Sequence, residues 1–419
     1  MRVLITVPWW ERLGGAEAML QTILDGADES GHELEPIFFE DGPWPQELSE
    51  LGLRVEVVKA GRVRNVARFA MTVRRLAALF RERQPDVILN WATKTQLYGS
   101  PAAALAGMSD RVIWWQHAIA GRHWLDFGAN LLPTRAIACY STAAAEAQQR
   151  LRPRRRTIVI PAGAKPVSPA APHTPTMPQT SQMHAPQTST PQTPSTQHTP
   201  QSPRTAQSAP TAQSPSTAPT PPAGVPLVGI VGRLQQWKGQ DRLLQAQALL
   251  REHGHPLHLV IVGGDSYGLS PRYAASLPEL IARLGLDDAV TLTGEVADAT
   301  ALIERFDVLV NASDPEPFGI VLIEAMAAGV PVVAVDAGGP RDIVEHARTG
   351  MLARSGEPAD LAAALEPLLS SRALRRELGD AGRERFMRDY TDEAVRARFF
   401  IALESVARAA RRGRGRAGR

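Results

Sequence analysis

The sequence predicts an α/β protein of two domains, each built around a parallel sheet. Short apolar runs alternate with longer helical patterns through both halves of the chain, which is the rhythm of βαβ units. The 419 residues suffice for two domains of ordinary size. A stretch from Ser168 to Ala223, almost wholly Pro, Thr, Ser, Gln and Ala, separates the halves.

Residues 2–8 form an apolar run that reads as a first strand and is too short for a signal peptide. Trp9-Trp10-Glu11-Arg12-Leu13-Gly14-Gly15-Ala16-Glu17 follows, and a helical pattern then extends to about Gly31. Strand, glycine pair and helix in succession let backbone approach a phosphate, though a Gly-Gly pair is also plain turn chemistry. Strands are expected at 33–39 and 53–58, a helix at 66–83, and a strand over Asp86-Val87-Ile88-Leu89. The helix sets Arg68, Arg74, Arg75, Arg81 and Arg83 against an apolar stripe of Phe69, Val73, Leu76 and Phe80. Such a face is either solvated or docked on an anionic membrane.

The strand at 111–115 ends in Trp114-Trp115-Gln116-His117. The carboxyl end of a parallel strand faces the ligand crevice, so His117 is a candidate site residue. Trp9, Trp10, Trp91, Trp114 and Trp115 all fall near strand ends. They read as an aromatic lip for a sugar or isoprenoid, or as core. A strand from Ala136 to Tyr140, a helix at 142–151 and a strand at Thr157-Ile158-Val159-Ile160 complete a first domain of residues 1–165. The segment 166–224 is a linker. Arg204 is the one formal charge within Ser168–Ala223, and a stretch this poor in apolar side chains is expected to be disordered.

The second domain is expected over 225–388. A strand at 226–231 runs into Gly232-Arg233-Leu234-Gln235-Gln236-Trp237-Lys238-Gly239. Arg233 and Lys238 suit two phosphates, the first by a bidentate fork and the second as a point charge. Strands at 258–262 and 289–293 end in the turns Gly263-Gly264-Asp265 and Gly294-Glu295-Val296. A buried strand at 306–310 leads through Ser313-Asp314-Pro315-Glu316-Pro317 into a helix from Phe318 to Ala328, stopped by Gly329, and then into a strand from Pro331 to Val335.

The free N–H groups of Gly319 and Ile320 at that helix start favour an anion. Glu316 lies ahead of the helix, where a carboxylate suits sugar hydroxyls. Glu324, about two turns in, suits the two hydroxyls of a ribose. The bland alternative makes both of them solvated charges. Helices are expected at 358–370, 372–388 and 391–411, with a basic, Gly-rich and disordered tail at 413–419.

Taken together, Glu316-Pro317-Phe318-Gly319-Ile320-Val321-Leu322-Ile323-Glu324, Gly338-Gly339-Pro340-Arg341-Asp342-Ile343-Val344 and the G-R-L…K-G of residues 232–239 resemble glycosyltransferase family 4, the retaining GT-B enzymes with an E-x7-E signature. Gly14-Gly15-Ala16-Glu17 resembles the family's glycine loop facing the donor diphosphate, which brings in Gly15. His117 resembles a histidine beside the transferred sugar. Asp342 stands where the family often has Glu.

The resemblance implies two Rossmann-like domains facing across a cleft, with a last helix, 389–412, crossing back to the first domain. It implies retaining transfer of a hexose-type sugar from a nucleotide diphosphate to a hydroxyl acceptor, in envelope polysaccharide or glycolipid synthesis. Glu316 and His117 would be catalytic. Arg233, Lys238, Gly319, Ile320, Glu324, Gly15, Gly263 and Val296 would bind the donor. No metal or other cofactor is expected. A non-catalytic nucleotide-sugar-binding relative and a small-molecule acceptor are the alternatives.

Composition narrows the partners. A net charge of +3 is too small for a general polyanion binder, and no specific nucleic-acid partner is expected. The single Cys139 excludes an internal disulfide and fits a reducing compartment. No apolar run of about 18 residues appears. No G-x-G-x-x-G follows a strand, which argues against a dinucleotide oxidoreductase. The expected location is cytoplasmic, with peripheral contact to an anionic membrane in view. The motifs name neither the sugar, the base nor the acceptor.

Overall fold

The computed structural model describes residues 1–12, 14–27, 31–121, 124–151, 155–167, 221–265 and 268–417. The core of the expected linker, residues 168–220, lies outside the described residues.

The first sheet has strands β1 (Arg2–Val7), β2 (Glu33–Phe38), β3 (Glu56–Val57), β4 (Val87–Asn90), β5 (Val112–Gln116), β6 (Ala136–Cys139) and β7 (Thr157–Val159). The second has β8 (Leu227–Val231), β9 (His258–Val262), β10 (Val290–Gly294), β11 (Val308–Asn311), β12 (Val332–Val335) and β13 (Met351–Ala353). Their orders are β3-β2-β1-β4-β5-β6-β7 and β10-β9-β8-β11-β12-β13, and every paired strand is parallel. Both are doubly wound. The strand order reverses between β1 and β4 in one and between β8 and β11 in the other, and a crevice opens outside the carboxyl ends at such a point.

Buried on both faces, the central strands read as near-continuous apolar runs, whereas the edge strands β3, β7 and β10 are only partly covered. Val3, Ile5 and Val7 face one side of the first sheet, and Leu4 the other. Thr6 and Asn90 are the buried polar pair between β1 and β4, with Thr6 Oγ1 donating to Asn90 Oδ1 at 2.8 Å.

The helix expected at 66–83 is Val66–Arg83, capped by Asn65, whose Oδ1 accepts from Arg68 N at 3.1 Å. Helices Pro43–Glu50, Thr93–Leu105 and Trp124–Leu131 were not anticipated. Thr93–Leu105 contains Gly99, Ser100 and Pro101, which break the sequence pattern. Tertiary packing overrides that: a Cβ on Gly99 would fall 2.0 Å from Asn90 Oδ1, so only glycine lets this helix lie against β4.

The last helix, Asp392–Ala417, crosses back onto the first domain. Its Phe399 is fully buried, with its ring centroid 5.9 Å from that of Trp115. Arg156 Nη2 donates to Ser405 Oγ at 3.1 Å. The chain enters the helix pinned by Ala164, which donates to Tyr390 O and accepts from Asp392 N, both at 3.0 Å. One apolar cluster therefore runs from Trp115 through Phe399 and Leu403 to Phe318 and Leu322. The helix continues to Ala417, so most of the segment expected as a disordered tail from 413 is helical backbone. Ala409, Ala410, Arg411 and Arg412 lead into it with high helix propensity. Residues 418–419 lie outside the description.

Among the described residues no helix is long and apolar enough to cross a membrane, and no group of three His, Cys, Asp or Glu side chains could hold a metal ion.

Candidate functional site

The second domain brings its candidates together at the carboxyl ends of β8 and β11. After β8, the turn Gln236–Lys238 ends at Gly239, whose φ of 74° is left-handed. Lys238 Nζ then sits 4.1 Å from the centroid of the Trp237 ring and 2.8 Å from Glu316 Oε2. Glu316 is buried and also accepts from Asn311 Nδ2 at 3.4 Å. Its backbone is fixed by Gly339 N, which donates to Glu316 O at 2.8 Å. A Cβ on Gly338 would fall 2.1 Å from that same carbonyl oxygen, so the glycine pair of G-G-P-R-D permits the approach.

Gly319 stands at φ 105° and ψ 58° and caps the helix Ile320–Ala327. The first N–H groups of a helix have no partner inside it, so those of Ile320 and Val321 are anion donors, whereas Leu322 N already donates to Gly319 O at 2.9 Å. Glu324 lies in this helix, half-buried. Burial first, and then the charge of Asp298, push its carboxyl up to about 7. It borders a cavity of about 590 Å³ between the domains, shared with Gln21, Thr22, Lys165, Thr300 and Ile303.

The first domain meets this surface closely. A Cβ on Gly15 would fall 2.4 Å from Ile320 Cδ1, so Gly15 packs on the start of the opposite helix. Ser141 Oγ donates to Pro317 O at 2.7 Å, and Thr142 N to Asp342 Oδ2 at 2.6 Å. The aspartate found where the family often has Glu thus ties the domains together.

Glu17 is a further candidate site residue, one that sequence reasoning did not single out as an individual carboxylate. It is buried in the first turn of helix Gly15–Asp25. Burial raises its pKa, opposed first by a hydrogen bond from its own backbone N–H and then by the charge of Arg233 across the cleft. Its place directly after the glycine pair was the available signal. The two candidate phosphate cations therefore face carboxylates: Lys238 faces Glu316, and Arg233 faces Glu17.

His117 follows β5 and is half-buried. Its Nε2 donates to the Trp91 carbonyl. A carbonyl only accepts, so Nε2 carries the proton and Nδ1, 3.0 Å from the Tyr140 hydroxyl, is the acceptor. Burial lowers the ring to about 4, against the opposing bond to Trp91, and keeps it neutral. Rings of Trp9, Trp91 and Tyr140 surround it at 5.7, 5.2 and 5.3 Å.

The aromatic lip is mostly core. Trp91, Trp114 and Trp115 are fully buried, because their strands are covered on both faces. Trp9 and Trp10 remain at the cavity beside His117. Gly263 serves packing: at φ 138° its Cβ would fall 2.1 Å from Gly232 O. Val296 is half-buried against the large apolar cluster.

Two doubly wound domains, a cleft at both reversal points and a final helix returning to the first domain define the GT-B architecture. Two family models match the chain: Glycosyltransferase Family 4 over residues 13–166 and Glycosyl transferases group 1 over residues 217–385. Both halves of the chain therefore resemble glycosyltransferase domains, the first that of family 4.

It is 41% identical over 160 residues to a D-inositol 3-phosphate glycosyltransferase of Nocardia farcinica, a match covering 37% of this chain and 35% of that protein. It is 36% identical over 168 residues to a GDP-mannose-dependent alpha-(1-6)-phosphatidylinositol monomannoside mannosyltransferase of Mycobacterium tuberculosis, covering 38% and 42%. These matches span well under half of the relatives' length. The crystal structure of Anabaena HepE in complex with UDP and glucose shares the fold, with a TM-score of 0.71 at 22% identity over 96% of this chain and 99% of that one.

Proposed function

We propose that the chain is a retaining glycosyltransferase that moves a hexose-type sugar from a nucleotide diphosphate to a hydroxyl acceptor in envelope polysaccharide or glycolipid synthesis. The observation that carries the reading is the Lys238–Glu316 pair beside the start of helix Ile320–Ala327. A cation, a carboxylate and free helix N–H groups sit within one loop cluster at the cleft. The names of the Nocardia and Mycobacterium relatives support the reaction class.

In this reading Arg233, Lys238 and the N–H groups at Gly319 and Ile320 hold the donor diphosphate and take up the charge that develops on it. No metal is required for that role. Glu324 accepts the two ribose hydroxyls, with the nucleoside in the interdomain cavity and Val296 and Gly263 at the turns beside it. Gly15 closes the other side. The bond from the anomeric carbon to phosphate oxygen breaks, and the nucleoside diphosphate leaves with the electron pair. The acceptor oxygen bonds to that carbon on the same face, and its proton passes to the leaving phosphate. Glu316, released from Lys238 as the diphosphate takes that cation, orients the sugar. Neutral His117 borders it. Contact with anionic lipid at the inner membrane face falls to Val66–Arg83, where Arg74 and Arg81 are exposed.

The test is calorimetry and thermal shift with UDP-, GDP-, ADP- and TDP-sugars on wild type and Lys238→Ala. A true donor at a hundred times its Kd stabilises the fold by about 2.7 kcal/mol. One donor standing out, and weakened in the variant, supports the proposal. A folded protein that answers to none of them refutes it.

A further inference from the structure

We infer that Tyr140 and His117 are positioning residues: the imidazole is a fixed strut between the acceptor pocket and the E-P-F-G loop, and it exchanges no proton during transfer. The inference rests on the reading above, since it concerns the same site. A neutral imidazole has one N–H and one lone pair in its plane. At His117 both are engaged inside the protein. Nε2–H donates to the Trp91 carbonyl, and the Tyr140 hydroxyl donates to Nδ1 at 3.0 Å. Neither nitrogen is left for a sugar hydroxyl. The charged ring would offer a second N–H, but burial lowers it to about 4, so it stays neutral near neutral pH.

The partners of the ring are themselves fixed. Trp91 is fully buried, its backbone N donates to Thr6 O at 3.1 Å, and its indole Nε1 donates to Ala16 O at 3.2 Å. Ala16 follows the glycine pair in the first turn of helix Gly15–Asp25. Tyr140 is 5% exposed, and its ring centroid lies 5.4 Å from that of Trp115 and 5.9 Å from that of Phe318. The next residue, Ser141, is fully buried and donates through Oγ to Pro317 O, beside Glu316, at 2.7 Å. One line of contacts thus runs from the glycine loop through Trp91, His117, Tyr140 and Ser141 to the E-P-F-G loop. It spans both domains and sets how far the acceptor wall stands from the donor side.

The pocket on the open side of the ring agrees with this role. A cavity of about 390 Å³ is lined by His117, Trp9, Gln116, Thr93, Glu40 and Lys94. His117 and Trp9, with ring centroids 5.7 Å apart, give it an aromatic wall. Its hydrogen-bonding groups stand apart from that wall. Glu40 and Lys94 pair at 3.1 Å. Thr93 Oγ1 donates to Gln116 Oε1 at 3.2 Å, and Gln116 Nε2 donates to Asp126 Oδ1 at 3.2 Å. An acceptor therefore lays a C–H face on His117 and takes its polar contacts from the other four. The titratable groups about the strut are Glu40, Lys94, Asp126, Glu17 and Tyr140 itself. Burial first, and then the charge of Glu17, push the Tyr140 phenol well above its ordinary range, so it keeps the proton it donates to His117.

The test grows the full chain with isotope-labelled histidine and follows the ring-nitrogen NMR signals of His117, assigned by their absence in His117→Gln, from about pH 5.5 to 8. Wild type should carry its proton on Nε2 and show no titration across that range. Tyr140→Phe keeps the buried ring, removes the donor and should move the Nδ1 signal. A His117 that titrates in this range, a proton on Nδ1, or an Nδ1 signal unmoved in Tyr140→Phe overturns the inference. Affinity for UDP and GDP is measured next, and turnover is then read as hydrolysis of UDP-glucose and GDP-mannose. Tyr140→Phe should lower kcat about tenfold while nucleotide affinity stays within about twofold of wild type. His117→Gln keeps one donor and one acceptor, and should turn over at least about tenfold faster than His117→Leu. Equal loss in those two variants overturns the strut and returns the ring to proton transfer. A chain that binds neither nucleotide marks a failure of the donor reading, and the NMR signals then decide the strut by themselves.

Discussion

Removing Lys238 should expose how the charges of the site are balanced. Glu316 is 7% exposed, and its nearest charge partner is Lys238 Nζ at 2.8 Å. Lys238→Ala leaves this carboxylate with only the 3.4 Å contact from Asn311. Breaking a buried pair from one side costs about 3–5 kcal/mol. Lys238 keeps 20% of its side chain in solvent, so screening brings the expectation down to about 2–3 kcal/mol. For a domain of this size that corresponds to a fall of roughly 4–12 °C in melting temperature. Glu316→Gln added to Lys238→Ala removes the orphaned charge and should recover about 1–2 kcal/mol. Donor binding should not recover with it, because the cation is still missing. Scanning calorimetry and donor titration of wild type, both single variants and the double variant complete the cycle. A Lys238→Ala protein as stable as wild type, or a double variant no better than the single, would falsify the view that this pair is a buried, mutually dependent unit.

Three further outcomes follow from the same geometry. Glu324 is raised to about 7, so the folded protein holds its proton above the pH at which an unfolded glutamate releases it. Stability should therefore fall as pH rises from about 4.5 to 7, while donor affinity measured by calorimetry rises through pH 7 as the carboxylate forms. Glu324→Gln should flatten both curves. Gly263→Ala meets the Gly232 carbonyl at 2.1 Å from a φ of 138°, and should cost about 3 kcal/mol or more in chemical denaturation. Phe399→Ala empties a fully buried position between Trp115 and Phe400, and should cost about 3–5 kcal/mol and split one thermal transition into two as the domains uncouple.

The amino-acid sequence by itself determined whatever depends on neighbours along the chain. Period-3.6 patterning and Asn65 specify helix Val66–Arg83 end to end, and continuous apolar runs mark β1, β8, β9 and β11. The spacing of Glu316 and Glu324 about Gly319, with Arg233 and Lys238 after β8, made the second domain's half of the site legible, because those residues lie on single strand-loop-helix units. Tertiary structure alone decided the rest. Gly99 sits in a helix because its missing side chain leaves room for Asn90 of the neighbouring strand. Glu17 acquires a raised pKa only because the folded chain buries it, with Arg233 of the second domain opposing the shift. Burial keeps His117 neutral, and the ring is held because Tyr140 and Trp91, 23 and 26 positions away in the chain, reach its two nitrogens. Burial, desolvation and hydrogen-bond pairing are properties of residues that meet in space, and local pattern carries no record of which distant side chain arrives.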